Sequence, residues 1–218
     1  MGKPKRDTGQ ARADTERLEF PAISLKKNLA LECVIPSQIY VLDGFLSDEE
    51  CDAWVQWGQK LVMEGPKPPG KDEAERTNNR FQTYAPTFTA TLYAALAPHL
   101  PHAIFSSHKA LYPKIRIYEY PPGTFFARHY DDSTLDPITG LRSRWTVLIY
   151  LTSPAGGRTR FWTREPNKRG KGGESVGVEC KKGRVVLHLH GEDCLVHEGE
   201  VVEKGTKWVL RSDLMYQR

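Results

Sequence analysis

Cysteine is scarce, and its arrangement carries no chemistry of its own. Cys33, Cys51, Cys180 and Cys194 are scattered through 218 residues with no CxxC pair and no dense framework. This argues against a disulfide scaffold and for free thiols in a reducing compartment. No apolar run approaches ~18 residues, so nothing reads as a membrane span. The first residues, MGKPKRDTGQ, lack the apolar stretch of a signal peptide. Arg6 stands where a myristoylation motif has Ser or Thr. No N-x-Ser/Thr glycosylation acceptor occurs. Neither charge sign is in large excess: Lys and Arg total 31 against 27 Asp and Glu, a net charge of +4. That is too mild for a dedicated nucleic-acid binder, although a local basic groove stays open. The expectation is a cytoplasmic or nuclear protein without membrane attachment. The KPKR run at 3–6 reads either as part of a solvated tail or as a nuclear address.

What is present is enough hydrophobic material, 39% of the chain, for one core and one domain. Residues 1–19 are polar and read as a disordered tail. QIYVLDGFL reads as a strand and turn, and Ser47 with Glu50 three residues on forms a capping box. The helix it opens carries Cys51, Trp54, Val55, Gly58, Leu61 and Val62 at helical spacing, which is a core-facing stripe. EGPKPPGKDE mimics a phosphate-binding loop in its Gly65, Gly70 and Lys71. Asp72 replaces the magnesium-ligating hydroxyl, the prolines remove backbone N–H donors, and a helix precedes it where a strand is needed. It reads as a loop. A second helix is expected over 87–97, with Phe88, Leu92, Ala95 and Leu96 on one face. From Lys114 onward, short strand-like runs alternate with Gly, Pro and Asp turns, the pattern of a β-barrel or sandwich. The expected layout is a supporting unit of strands and helices over 20–109 and a barrel over 110–218, as one domain spanning about 37–216. NKRGKGGE at 167–174 reads as a basic solvated turn.

FFARHYDDS, residues 125–133, is the stretch with chemistry. In a strand, residues i and i+2 share a face, so His129 and Asp131 would project together, with Phe125 beside them. Imidazole and carboxylate are ligand types of a two-histidine, one-carboxylate facial triad. The same pair also fits an ordinary histidine hydrogen-bonded to a neighbouring carboxylate. A triad needs another histidine, for which His188, His190 and His197 are candidates. Lys207 follows His197 by ten residues and Arg211 shares its strand parity, so either could meet an anion inside a barrel.

At this point four motifs in order resemble the Fe(II)/2-oxoglutarate dioxygenases of the prolyl 4-hydroxylase type. They are YEYPPGTFFARHYDDS, with Tyr120 nine residues before His129; TVLIYL at 146–151; GGRT at 156–159; and His197 followed by GTKW at 205–208. GFLSDEECDAW resembles that family's entry to its first long helix. The resemblance implies a mainly β fold with flanking α-helices, a double-stranded β-helix (jelly-roll, cupin-like) barrel. It implies Fe(II) on His129, Asp131 and His197, and 2-oxoglutarate with its distal carboxylate on Lys207. Tyr120, Tyr150 and Thr159 would hydrogen-bond the cosubstrate. O2 is then a further cosubstrate, with ascorbate as an optional accessory reductant. The activity implied is hydroxylation of an unactivated C–H bond, on a prolyl or other residue of a protein or peptide. An oxygenase of nucleic acid or a small molecule, and a silent metal-binding module, are the alternatives. The chain departs from the family after Lys207, where KWVLRSDLMY makes Arg211 a rival anchor or half of an Arg211–Asp213 pair. Secreted relatives carry signal sequences and this chain shows none, so the prolyl substrate does not carry over with the fold. His188 and His190 match no metal position and are expected to line the cavity or serve structure. An apolar wall of Phe125, Val147, Ile149 and Leu187 is expected around it. Arg76, Asn78, Asn79 and Arg80 fall where relatives place a substrate loop.

Overall fold

The computed structural model describes residues 18–71, 73–167 and 172–217. The tail expected over 1–19 lies outside these except for its last two residues, as does the middle of the basic turn at 167–174. Among the described residues, no helix is long and apolar enough to cross a membrane. All four cysteines are free.

Among the described residues, fourteen strands and two α-helices build two facing antiparallel sheets, a small two-stranded sheet and a helical cover. In chain order they begin with β1 (Leu31–Ile35), β2 (Ile39–Leu42), α1 (Asp48–Gly58), β3 (Asn79–Tyr84) and α2 (Pro86–Leu96). Then come β4 (His108–Leu111), β5 (Lys114–Tyr120), β6 (Phe126–His129), β7 (Arg142–Tyr150), β8 (Ala155–Gly156) and β9 (Thr159–Arg164). The last are β10 (Glu174–Val178), β11 (Val185–Leu189), β12 (His197–Gly199), β13 (Val202–Lys204) and β14 (Lys207–Tyr216). The major sheet runs β1-β2-β11-β7-β14-β5-β3, with β4 also on β14. The minor sheet runs β10-β9-β12-β6, and β8 pairs with β13. This is the mainly β, double-stranded β-helix architecture that the resemblance implies.

Strand alternation divides the core in two. One face of the major sheet sends Trp145, Val147, Ile149, Leu187, Trp208 and Leu210 against α1 and α2, whose Trp54, Phe88 and Leu92 complete that cluster. The other face sends Tyr118, Tyr120, Tyr150, Val186 and Val209 toward Phe161 of the minor sheet. Both faces are buried, so both read as hydrophobic and the sequence does not say which faces the cavity. The expected apolar wall is therefore corrected: Val147, Ile149 and Leu187 pack on the helices, and Leu148, Tyr150 and Val209 line the cavity.

The helix α1 starts at the expected capping box. Ser47 Oγ accepts from Glu50 N, and Glu50 Oε2 accepts from Ser47 N. It ends at Gly58, earlier than the stripe implies, which leaves Val62 90% exposed. A Cβ on Gly58 would stand 2.7 Å from the Trp208 ring. Glycine thus lets α1 settle on β14 directly behind Lys207.

An ion-pair clamp closes the β2 turn on the start of β11. Arg184 Nε donates to Asp43 Oδ1 at 2.5 Å, and Lys181 Nζ to Oδ2 at 2.7 Å. The Arg184 hydrogen bond leads the interactions that outweigh partial burial and bring Asp43 down to about 2. Because the folded value lies below the unfolded one, the contribution is fully present above pH ~4 and is lost as pH falls toward 2. Discounted for partial exposure, it amounts to about 1 kcal/mol. Asp43→Asn is expected to remove that amount at pH 7 and almost none at pH 2, measured by denaturant unfolding at both.

Candidate metal centre and its cavity

The two sheets enclose a cavity lined by Tyr118, Tyr120, Phe126, His129, Asp131, Leu148, Tyr150, Thr159, His188, His197, Gly199, Lys207, Val209 and Arg211. Every metal and cosubstrate residue expected from the sequence is in that lining. Cross-strand register explains how they meet. His197 on β12 is the direct partner of His129 on β6, and Lys207 on β14 is that of Tyr120 on β5.

Asp131 does not share a strand with His129, since β6 stops at His129. It is delivered by the following turn, where its N–H donates to Cys194 Sγ at 3.3 Å and its carbonyl accepts from Gly191 N at 2.9 Å. The parity reading of Phe125 fails for the same reason. It is Phe126 that lines the cavity, stacked on the His129 ring at 3.8 Å between centroids.

Ligand atoms of His129, Asp131 and His197 all lie within 4.8 Å of one another. The His129 Nδ1 lies 2.8 Å from Ala127 O, and the His197 Nδ1 lies 3.0 Å from Leu195 O. Each carbonyl accepts only, so each Nδ1 carries the proton and turns Nε2 inward. These Nε2 atoms sit 3.8 Å and 3.6 Å from the Asp131 carboxylate oxygens. Two imidazoles with fixed tautomers and one buried carboxylate are a donor set that fits a divalent ion such as Fe(II), with positions to spare.

Asp131 is 8% exposed. Burial alone would raise its pKa, but the Arg211 guanidinium, with His197 and His188, holds it well below the usual carboxylate range. Arg211 donates from Nη1 to Oδ1 at 3.1 Å and approaches Oδ2 from Nη2 at 3.0 Å. Thr146 Oγ1 donates to Oδ2 at 3.0 Å. Arg211 also meets Asp213 at 3.4 Å. Thr146 was missed from sequence, although it shares the β7 face of Tyr150. Burial lowers His129 to about 4, whereas the Asp131 contact outweighs burial at His197 and raises it to about 9.

At the other end of the lining, Lys207 is 3% exposed. Its Nζ donates to Gly157 O at 2.7 Å and stands 5.0 Å and 5.4 Å from the centroids of the Tyr120 and Tyr150 rings. Among the described residues it has no carboxylate within ion-pair distance, and burial lowers its pKa. Tyr150 Oη and Thr159 Oγ1 share a hydrogen bond of 2.6 Å beside it. Gly157, at φ +69°, could take no larger side chain, since a Cβ would meet Val202 Cγ2 at 2.9 Å and Lys207 Cδ at 3.4 Å.

His188 lines the cavity, whereas His190 is tied to Thr146 Oγ1 and Ser143 Oγ. Arg76, Asn78 and Arg80 are not in the cavity lining. Residues 75–77 run beside β6, with Arg76 bridged to Phe126. Asn78 is fully buried, and Arg80 lies within β3, paired to Glu64 at 3.1 Å, rather than on a free loop.

Residues 115–212 match the family model described as the 2OG-Fe(II) oxygenase superfamily. The segment spans every cavity residue named above. No curated protein matches the sequence. Among solved structures, the chain is similar to a prolyl-4-hydroxylase from Pseudomonas putida, with 17% identity, 83% of this chain and 94% of that chain covered, and a TM-score of 0.59. It is similar to a prolyl hydroxylase from Trichoplax adhaerens in complex with a hypoxia inducible factor peptide, at 15%, 82%, 84% and 0.55. It is also similar to SnoK, an alpha-ketoglutarate dependent carbocyclase from nogalamycin biosynthesis, at 16%, 83%, 80% and 0.58. The family model thus agrees with the oxygenase part of the resemblance over residues 115–212, and the solved structures share the fold.

Proposed function

Starting from a chain whose barrel carries the 2OG-Fe(II) oxygenase match, we propose that it is a 2-oxoglutarate-dependent dioxygenase. Its reaction hydroxylates an unactivated C–H bond of a protein or peptide residue, prolyl being the first candidate, with release of succinate and CO2. One observation carries this reading. The His129, Asp131 and His197 donors share one lining with a buried, carboxylate-free ammonium, that of Lys207.

His129, Asp131 and His197 hold Fe(II), which, when bound, supplies the O2 chemistry. Lys207 offers its charge to the distal carboxylate of 2-oxoglutarate, and Tyr120, Tyr150 and Thr159 offer hydroxyls beside it. An ammonium buried without a counterion is stabilised by an arriving anion, so the site selects a 2-oxo diacid over a 2-oxo acid with no distal carboxylate. Arg211 is a poorer anchor because both of its Nη atoms already engage carboxylates, those of Asp131 and Asp213. Phe126 and Leu148 exclude water from the metal side. Peptide recognition is supported by the hydroxylase that was solved with a peptide. The carbocyclase with nearly the same TM-score keeps a small-molecule substrate as the second reading.

The test is succinate release with a panel of proline-bearing peptides, mass-spectrometric search for a +16 Da product, and the weak visible charge-transfer band of an anaerobic Fe(II)–2-oxoglutarate complex. The band and peptide-dependent succinate are expected. A chain that shows neither the band nor any turnover of 2-oxoglutarate would be a silent module, and the proposal would fail.

A further inference from the structure

His188 has no part in the proposed reaction, yet it is aimed into the cavity. Its side chain is 2% exposed, and its Nε2 faces Asp131 Oδ2 at 3.5 Å without making a hydrogen bond to it or to any other group among the described residues. The Nδ1 lies 3.4 Å from Leu189 O, which leaves the Nε2 lone pair inward. An orphaned buried nitrogen of this kind calls for a ligand.

Cys194 supplies a second soft donor. It is 7% exposed, and its sulfur accepts the Asp131 N–H and lies beside the His197 ring, 3.9 Å from the protonated Nδ1, with Nε2 as the ligating nitrogen. One ligand atom from each of His188, Cys194 and His197 fits within 4.8 Å. We propose that these three residues form a second metal site, which takes zinc and competes with the iron set for His197. Two imidazoles and a thiolate are a donor set of zinc, whereas the carboxylate-bearing triad is harder. On binding, the Cys194 S–H and His197 Nε2–H protons leave to solvent and Zn–S and Zn–N bonds form in their place. A fourth position stays open to water. A neutral imidazole has one lone pair, so His197 serves one ion at a time. Zinc occupancy therefore removes a ligand from the proposed iron site and stops the oxygenase.

The competition rests on the iron reading, but the site does not, and the readouts separate them. Metal-free full-length protein is titrated anaerobically with Co(II), whose bond to a thiolate gives a strong near-ultraviolet charge-transfer band. The band is expected in wild type, is abolished by zinc, and is absent from Cys194→Ser. Zinc affinity, measured against a chromophoric chelator, is expected to fall more than ~100-fold in Cys194→Ser and in His188→Phe, beyond the 10–100-fold typical of changes outside the ligand set. Cobalt bound without a thiolate band, or a band that survives Cys194→Ser, overturns the site. Should Cys194→Ser fail to fold, His188→Phe decides through its zinc affinity, and an unchanged value overturns the site. If the cobalt band stands while the visible Fe(II)–2-oxoglutarate band is missing, the oxygenase reading fails and the zinc site remains.

Discussion

Lys207→Met is expected to abolish useful 2-oxoglutarate binding while leaving the folded protein as stable as wild type, or more so. In the protein without cosubstrate, the Lys207 ammonium is buried with one carbonyl, the Cys180 thiol and two aromatic faces for company. A methionine of similar shape removes an uncompensated charge, which costs the folded state nothing. A bound diacid loses its buried partner, at about 2–5 kcal/mol, or roughly 30- to several-thousand-fold in Kd. Arg211→Met is the control: it should change 2-oxoglutarate affinity far less, because Arg211 is already bound to Asp131. Isothermal titration of the Mn(II)-loaded variants with 2-oxoglutarate, beside thermal unfolding of the metal-free ones, reads both effects. A larger affinity loss in Arg211→Met than in Lys207→Met would reverse the assignment of the anchor.

Asp131→Ala is expected to damage the fold as well as the metal site. The carboxylate is the main counterion of Arg211, whose Nε already lacks a partner. Truncating one side of a buried pair costs about 3–5 kcal/mol, since the other charge stays behind unpaired. Asp213, at 3.4 Å from Arg211, can recover part of that. The double variant Asp131→Ala/Arg211→Met should therefore regain most of the stability while still failing to bind metal. Denaturant unfolding of the metal-free proteins measures the cycle, and metal titration measures the second effect. If Asp131→Ala unfolds as wild type does, the Arg211 contact contributes nothing to stability.

How far the site could be read in advance depended on how local each determinant was. His129 and Lys207 could be placed because motif spacing and strand parity hold within a short run of chain. Asp131 lines the cavity as strand parity implies, but it arrives by the turn after β6 and not by sharing the strand face. Phe125 was misplaced by the same step, and Phe126 took its position against His129. Val147, Ile149 and Leu187 were assigned to the wrong side because both faces of their sheet are covered. Arg80 was expected on a loop, but pairing with Glu64 and β5 draws it into a strand.

The amino-acid order alone determined the class of fold, the capped first helix and the residues able to ligate metal, because propensity, capping and motif spacing act over a few residues at a time. Strand parity left three histidines as partners of His129 and the motif order pointed to His197; the tertiary structure supplies the reason, the β6–β12 register that joins them across nearly seventy residues. Only the tertiary structure decided the partners of the two buried cations, leaving Lys207 free of carboxylates and committing Arg211 to Asp131. Such pairings are set by sheet closure, which brings groups together from distant parts of the chain and which no local pattern encodes.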